Sequence, residues 1–342
     1  MNILITGTAG FIGFHLTNCL ANEGHSITCI DNVNNYYDTE LKYSRLKILG
    51  LDQNQIKSIK SGEPFYSSIF PSLCFYKIDL SDNEMVNKLF ASHHFDIIIH
   101  LAAQAGVRYS ITNPYTYISS NITGSLNLFE ASKNHPPKHF IYASSSSVYG
   151  LNSKVPFSES DTVNMPASLY AVTKRSVELM AFTYSHMHKI PITGLRFFTV
   201  YGPWGRPDMA PIIFAKSIIE GKPINLFNNG NMTRDFTYID DIIEGIVRVM
   251  NYIPQNDIEN NTPAALYNIG NGNPVALMDF IHELESSLKK KAIINYAPMQ
   301  DGDVYKTWAD CSALEKVTGF SPKTSLSDGI RDFVNWYKGY YT

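Results

Sequence analysis

The chain has 342 residues, 44% of them hydrophobic, and a formal net charge of −3 at neutral pH. That length exceeds what one compact core comfortably holds and points to two lobes, or to one domain with a large extension. The lack of any basic block sets nucleic acid aside as the main partner, and no apolar run approaches a membrane span, so the chain reads as soluble and cytoplasmic, with no membrane partner.

The stretch GTAGFIG lies between two apolar runs. Ile3 to Ile5 read as a short buried strand and Phe11 to Leu20 as a helix, so Gly7, Gly10 and Gly13 fall at the turn between them. Glycines there let the peptide N–H groups of a helix N-terminus, including those of Phe11 and Ile12, approach a pyrophosphate. An ordinary turn can carry the same triplet. The next strand, SITCI, sharpens the reading because Asp31 follows it, and a carboxylate there suits the two hydroxyls of an adenosine ribose and repels a 2′-phosphate. NAD is therefore expected over NADP, the alternative for Asp31 being a plain turn residue.

Residues 32–72, rich in Tyr, Asn, Lys and Ser, read as an elaborated crossover with a helix near Leu41 to Leu49. Strand and helix then alternate: LCFYKIDL, a helix over Asn83 to Ala91, FDIIIHLAA, a helix over Tyr115 to Lys133, and HFIYASS. This alternation predicts a doubly wound parallel α/β sheet. Asp79 and Leu80, at the end of their strand, are candidates to contact the adenine end of the cofactor, with a helix N-cap as the other reading of Asp79. The small residues of HLAAQAG mark a place where a nucleotide backbone can lie close.

After ASSSSVYG a Pro-bearing loop leads to Tyr170-Ala-Val-Thr-Lys174, where a phenol and an ammonium share one helix face. The ammonium stabilises a phenolate, and moving a tyrosine from about 10 to about 7 takes roughly 4 kcal/mol of differential stabilisation, which Lys174 and a positive nicotinamide ring could supply. Tyr170 could then remove a hydroxyl proton while hydride leaves the same carbon. Past residue 200 the Pro/Gly-rich segment suggests a new lobe with helices near Pro211–Glu220, Ile239–Asn251, Leu277–Lys289 and Leu326–Tyr340. The division expected is a Rossmann cofactor domain over 1–198, a smaller α/β substrate lobe over 199–342, and a segment near 234–255 packing back on the first. The four cysteines show no paired spacing and read as reduced thiols, and the histidines offer no metal-ligand pattern, so no metal is expected.

GTAGFIG, SSSSVYG and YAVTK resemble the extended short-chain dehydrogenase/reductase family. DNVNNYYD, LAAQAGVRYS, RFFTVYGPWGRPDMA, RDFTYIDDI and GDVYKTWAD resemble, within it, the UDP-glucuronate 4-epimerases. The resemblance implies bound NAD, a UDP-sugar substrate and 4-epimerisation through a 4-keto sugar, with Ser145, Tyr170 and Lys174 at the reacting carbon. It places Ser146 and Ser147 along the sugar, Thr199 and Arg206 on a C6 carboxylate, Arg234 at the UDP phosphates, and Asp303 among the substrate contacts. Arg206 pairing with Asp208 or capping a loop is the competing reading of that residue. Dehydratases and decarboxylases of the family carry acidic residues where Ser146 and Ser147 stand, which disfavours those reactions. Trp204-Gly205 and Asp301 depart from the family pattern. A homodimer through paired helices is implied as well, with Val177, Met180, Ala181 and Tyr184 open between core and dimer face. The rival activities are 4-epimerisation of UDP-glucose or of a UDP-N-acetylhexosaminuronate, a non-catalytic NAD sensor, and a net dehydrogenase, the last disfavoured because no cysteine nucleophile lies near the motifs.

Overall fold

A computed structural model describes residues 1–257, 259–299 and 305–342. In chain order the elements are β1 (Asn2–Thr6), α1 (Phe11–Asn22), β2 (Ser26–Asp31), α2 (Thr39–Ile48), α3 (Gln53–Ser58), β3 (Pro64–Tyr66), β4 (Leu73–Lys77), α4 (Asn83–Ser92) and β5 (Ile97–His100). Two short helical turns, α5 (Tyr109–Thr112) and α6 (Pro114–Tyr117), precede α7 (Gly124–Asn134), β6 (His139–Ser145), α8 (Leu169–His188) and β7 (Ile192–Phe197). The chain continues with β8 (Thr199–Tyr201), α9 (Ala210–Glu220), β9 (Pro223–Leu226) and β10 (Thr233–Tyr238), followed by α10 (Ile239–Met250), β11 (Ala264–Ile269), β12 (Pro274–Ala276), α11 (Leu277–Leu288), β13 (Ile293–Tyr296), α12 (Ser312–Thr318) and α13 (Leu326–Tyr341).

Eight strands form one sheet in the order β11-β7-β6-β5-β1-β2-β4-β3, parallel throughout except at the β3 edge. Every second side chain of a central strand points to the same face. Ile3, Ile5, Ile97 and Ile99 therefore join Phe14, Leu16 and Leu20 of α1 and Ile242 and Ile246 of α10 in one core. Leu4, Ile98 and Phe140 meet Val86 and Leu89 of α4, Leu128 of α7 and Val177 and Ala181 of α8 in another. Helices cover both faces, which defines a doubly wound Rossmann sheet. A three-stranded sheet, β12-β10-β8, and a two-stranded one, β13-β9, build the smaller α/β lobe.

The chain winds outward from β1 through β2 to β4, then returns to place β5 on the other side of β1. Strand order reverses there, and the crevice outside the carboxyl ends of β1 and β5 is where this class of sheet takes a ligand. Gly7 lies at the end of β1 with φ +81°, and a Cβ on it would come within 2.8 Å of the Ala102 nitrogen beyond β5. A Cβ on Gly13 would stand 2.1 Å from the Gly7 carbonyl oxygen. No side chain fits at either position, so the turn can pack only as glycine.

The structure adds to the sequence reading in four places. The crossover carries a second helix, α3, and the antiparallel edge strand β3, both too short to leave a periodic signal. The helix expected over Tyr115 to Lys133 is interrupted by a wide π-helical turn at Ile118–Thr123. Strand β11, beyond the segment expected to fold back, completes the large sheet beside β7. Val177 and Ala181 are buried, and Met180 and Tyr184, partly buried, pack against the same core. The exposed apolar residues of α8 are Val172, Leu179, Phe182 and Met187.

Candidate active site

A cavity of about 490 Å³ opens at the strand-order reversal between the large sheet and the smaller lobe. Gly7, Gly10, Phe11, Ile12, Gly13, Asp31, Asp79 and Leu80 line one end of it, and Ser145, Ser146, Ser147, Tyr170, Lys174, Thr199, Arg206 and Arg234 line the remainder. All of the candidate residues named from the sequence therefore meet in one cavity, except Asp303, which like Asp301 lies outside the described residues. Asn34, Tyr36 and Lys42 from the crossover also line it, as do Ala102, Ala103 and Gln104 from the end of β5.

The glycine turn fits a dinucleotide. No side chain caps the start of α1, whose N-cap is Gly10, and Asp31 closes β2 beside it. The Asp31 carboxylate accepts from the Ala9 N–H at 3.0 Å and the Val33 N–H at 2.7 Å, which fixes it at the cavity edge. Asp79 accepts from Asn32 Nδ2 at 2.8 Å and from the Ser81 N–H at 2.9 Å and hydroxyl at 2.7 Å. Burial alone would raise Asp79, but these bonds hold it below the usual carboxylate range. Asp79 is not a helix N-cap: Asp82 caps α4, accepting from the Met85 N–H at 3.1 Å.

Helix α8 starts where it does because Ser168 accepts the Ala171 N–H at 3.2 Å, an N-cap that puts Tyr170 in the first turn and Lys174 one turn deeper. At the end of β6 the Ser145 hydroxyl caps the following turn by accepting the Ser147 N–H at 3.2 Å and donates to the Ser147 hydroxyl at 3.1 Å, and it lines the cavity together with the Tyr170 phenol. Burial pushes that phenol above its ordinary value, while the Ser145 hydroxyl and the charge of Arg206 act in the opposite direction. The sequence reading assigns the lowering to Lys174 together with the nicotinamide ring. In the structure Lys174 donates to the Ala143 carbonyl at 2.8 Å, and the charge of Arg206 acts on the phenol. Burial depresses Lys174 to about 8, against the pull of Glu178.

Two buried networks that the sequence does not announce hold this geometry. Glu178 accepts from Arg196 Nε at 2.8 Å and Nη2 at 2.9 Å, from Arg175 at 2.8 Å and from the Ser144 hydroxyl at 2.6 Å. It thereby pins the end of β6 to α8, next to Ser145. In the wide turn before α7, Asn121 accepts the Gln104 N–H at 2.7 Å and donates to the Gln104 carbonyl and the Thr173 hydroxyl, both at 3.0 Å. Each is a polar residue in a segment whose pattern shows only an apolar face, so periodicity gives no signal for it.

Arg206 forks onto Asp208, with Nε to Oδ1 at 3.1 Å and Nη2 to Oδ2 at 2.5 Å, and Asp208 also accepts the Tyr36 hydroxyl at 2.9 Å. The pairing with Asp208 and the place in the cavity are thus both present. Arg234 donates to the Thr233 and Tyr305 carbonyls at 3.0 and 3.2 Å. Arg108 lies over the Phe227 ring at 5.1 Å, reaching from the first lobe to the second.

Fold and site define the class: an NAD-dependent enzyme of the extended short-chain dehydrogenase/reductase type, with a Ser-Tyr-Lys set at the end of the cofactor crevice. The model of the NAD dependent epimerase/dehydratase family matches residues 3–270, and the chain belongs to that family. It is an isomerase, and NAD is its cofactor. A probable UDP-glucuronate 4-epimerase of Rhizobium meliloti is 43% identical over 352 aligned positions, covering 100% of this chain and 98% of the relative. UDP-glucuronate 4-epimerase 4 of Arabidopsis thaliana is 44% identical, covering 100% of this chain and 76% of the relative. The crystal structure of UDP-glucuronic acid 4-epimerase from Bacillus cereus, in complex with UDP-glucuronic acid and NAD, superposes with a TM-score of 0.85 at 35% identity, over 100% of both chains. Among the described residues no helix is long and apolar enough to cross a membrane.

Proposed function

We propose that this chain, as a UDP-sugar 4-epimerase, interconverts UDP-glucuronate and UDP-galacturonate through a transient 4-keto sugar. The observation that carries the reading is the placing of Arg206 and Thr199 in one cavity with Tyr170 and Ser145, while serines, not carboxylates, stand at 146 and 147. The close relatives and the Bacillus cereus structure support the same substrate.

Gly7, Gly10, Phe11, Ile12, Gly13 and Asp31 hold the NAD, with Asp79 and Leu80 at its adenine end. Bound there, the cofactor would supply the hydride acceptor and donor for C4 of the sugar. Ser145 holds the 4-hydroxyl, Tyr170 removes its proton, and Lys174 keeps the cofactor ribose and the phenol in line. Once the keto sugar has turned so that C4 would take hydride back on its other face, Tyr170 returns the proton to the 4-oxygen. Ser146, Thr199 and Arg206 orient the C6 carboxylate, and Arg234 and Asp303, from the lobe over 199–342, meet the UDP. The cofactor half comprises 1–198 and the segment that folds back onto it. The test is NMR of UDP-glucuronate, UDP-glucose and UDP-N-acetylhexosaminuronate incubated in parallel with the purified protein. UDP-galacturonate should form fastest, and preferential turnover of either other sugar removes the hexuronate assignment.

The enzyme acts as a homodimer in this reading, with Val172, Leu179 and Phe182 of α8 and Ile118 and Leu126 of the preceding helical segment forming the exposed apolar faces that pair. Phe182→Glu should convert it to a monomer in sedimentation velocity, and an unshifted dimer would place the interface elsewhere. All four cysteines are free, in keeping with a reducing, cytoplasmic setting.

A further inference from the structure

The crossover at 32–49 touches the loop that bears Arg206 at two points, and both contacts are built from polar groups. Arg45 of α2 is fully buried. Its guanidinium spends all five N–H groups on neutral acceptors from three segments. Nε and Nη2 donate to the Trp204 carbonyl at 3.2 and 2.6 Å, Nη2 to the Gly205 carbonyl at 3.1 Å, and Nη1 to the Ala9 carbonyl at 2.8 Å and the Tyr37 hydroxyl at 2.7 Å. A buried arginine so fully committed to main-chain oxygens fixes where those main chains run. The second contact is Tyr36, whose hydroxyl holds the same Asp208 oxygen that receives Arg206 Nη2.

The loop needs holding. Trp204 sits at φ +61°, a left-handed conformation that is strained for a side-chain-bearing residue and persists only where its surroundings impose it. Phe14, Trp336 and Tyr340 pack its ring at centroid distances of 5.7, 5.4 and 5.0 Å, and Arg45 takes its carbonyl. Arg206 follows two residues later. If the Trp204 peptide relaxes to negative φ, the chain direction into Arg206 changes with it.

We propose that the crossover is a specificity element, in which Arg45 and Tyr36 act as positioning residues that aim Arg206 at the substrate carboxylate and tie that aim to the glycine turn through Ala9. The proposal rests on the assignment of Arg206 to a sugar carboxylate. It also gives a role to Trp204-Gly205, the departure from the family pattern: the carbonyls of these two residues are the ones Arg45 grips.

The experiment measures, by calorimetry on NAD-loaded protein in a Tyr170→Phe background, the affinities for UDP-glucuronate, UDP-glucose and UDP. Tyr36→Phe should reduce the preference for UDP-glucuronate over UDP-glucose by about 3- to 10-fold, the effect of one hydrogen bond to a charged pair, with UDP affinity unchanged. Arg45→Met should reduce it by more than about 10-fold, since it frees the strained peptide as well. Should Arg45→Met fold poorly, Tyr36→Phe decides alone. A general loss of stability lowers the affinity for all three ligands together and leaves the ratio unmoved, so an unmoved ratio overturns the proposal while the hexuronate reading stands. Equal affinity of the parent protein for both sugars overturns the hexuronate reading itself, and the positioning role with it.

Discussion

Tyr170→Phe is expected to lower kcat by about 10²- to 10⁴-fold, the range for loss of a positioned acid–base group, while purified protein retains its NAD. The substitution removes one oxygen and leaves the ring, which packs edge-on to Tyr117 at 6.1 Å, so the helix start and the cavity walls should survive. What disappears is the phenol oxygen, whose ionisation the charge of Arg206 favours. Turnover is read by NMR of the sugar and cofactor retention by mass spectrometry of the nucleotides released on denaturation. Activity within tenfold of the parent would remove Tyr170 from the reaction. Loss of NAD together with activity would show that the substitution had damaged the cofactor crevice and not the chemistry. A non-catalytic NAD sensor predicts retained cofactor but no turnover to lose.

The electrostatics refine how this tyrosine works. Burial by itself favours the neutral phenol, so at neutral pH the group needs positive charge nearby to serve as a base. Arg206 supplies part of it from the substrate side. Lys174, depressed to about 8, remains mostly charged at pH 7, and its bond to the Ala143 carbonyl anchors α8 against β6. The phenol thus comes from the helix that follows the large sheet's β6, and the cation that acts on it comes from the loop after β8.

Much of this was legible in the sequence because it lies in short local patterns. Strand-length runs of Ile and Leu announce the sheet, the glycine triplet announces a turn that tolerates no Cβ, and a Tyr and a Lys four apart must share a helix face. The signals that failed are those that depend on distant partners. Arg45, Glu178 and Asn121 look like ordinary helix-surface polar residues until the fold brings them hydrogen-bond partners from 17 to 160 positions away. The wide turn at Ile118–Thr123 is a response to tertiary hydrogen bonding, and the serine, asparagine and threonine there encode no break by themselves. Strand β11 follows an irregular stretch and reads as one more apolar hexamer; only its register against β7 makes it the edge of the large sheet.

The second large effect concerns Arg206. Arg206→Ala is expected to lower kcat/KM for UDP-glucuronate by about 10- to 150-fold, the loss of a charge-assisted hydrogen bond of about 1.5–3 kcal/mol, and to release a UDP-pentose side product. The second outcome follows from the chemistry of the intermediate. A 4-keto hexuronate is a β-keto acid, and it loses CO₂ when the bond from C5 to the carboxylate aligns with the carbonyl π system. A carboxylate held by Arg206 and Thr199 is kept from that alignment, so the clamp preserves the carbon skeleton as well as binding it. The same substitution removes a cation that lowers the Tyr170 phenol, so the rise of kcat/KM on the acid side should move to higher pH. Arg206→Lys separates the two effects. It keeps the charge and loses the fork, so the acid limb should stay near that of the parent while the pentose still forms. Product analysis by NMR across pH 6 to 9 reads both. Clean epimerisation at the parent rate by Arg206→Ala would refute the clamp, and would leave the Asp208 pair as a structural contact of the loop and nothing more.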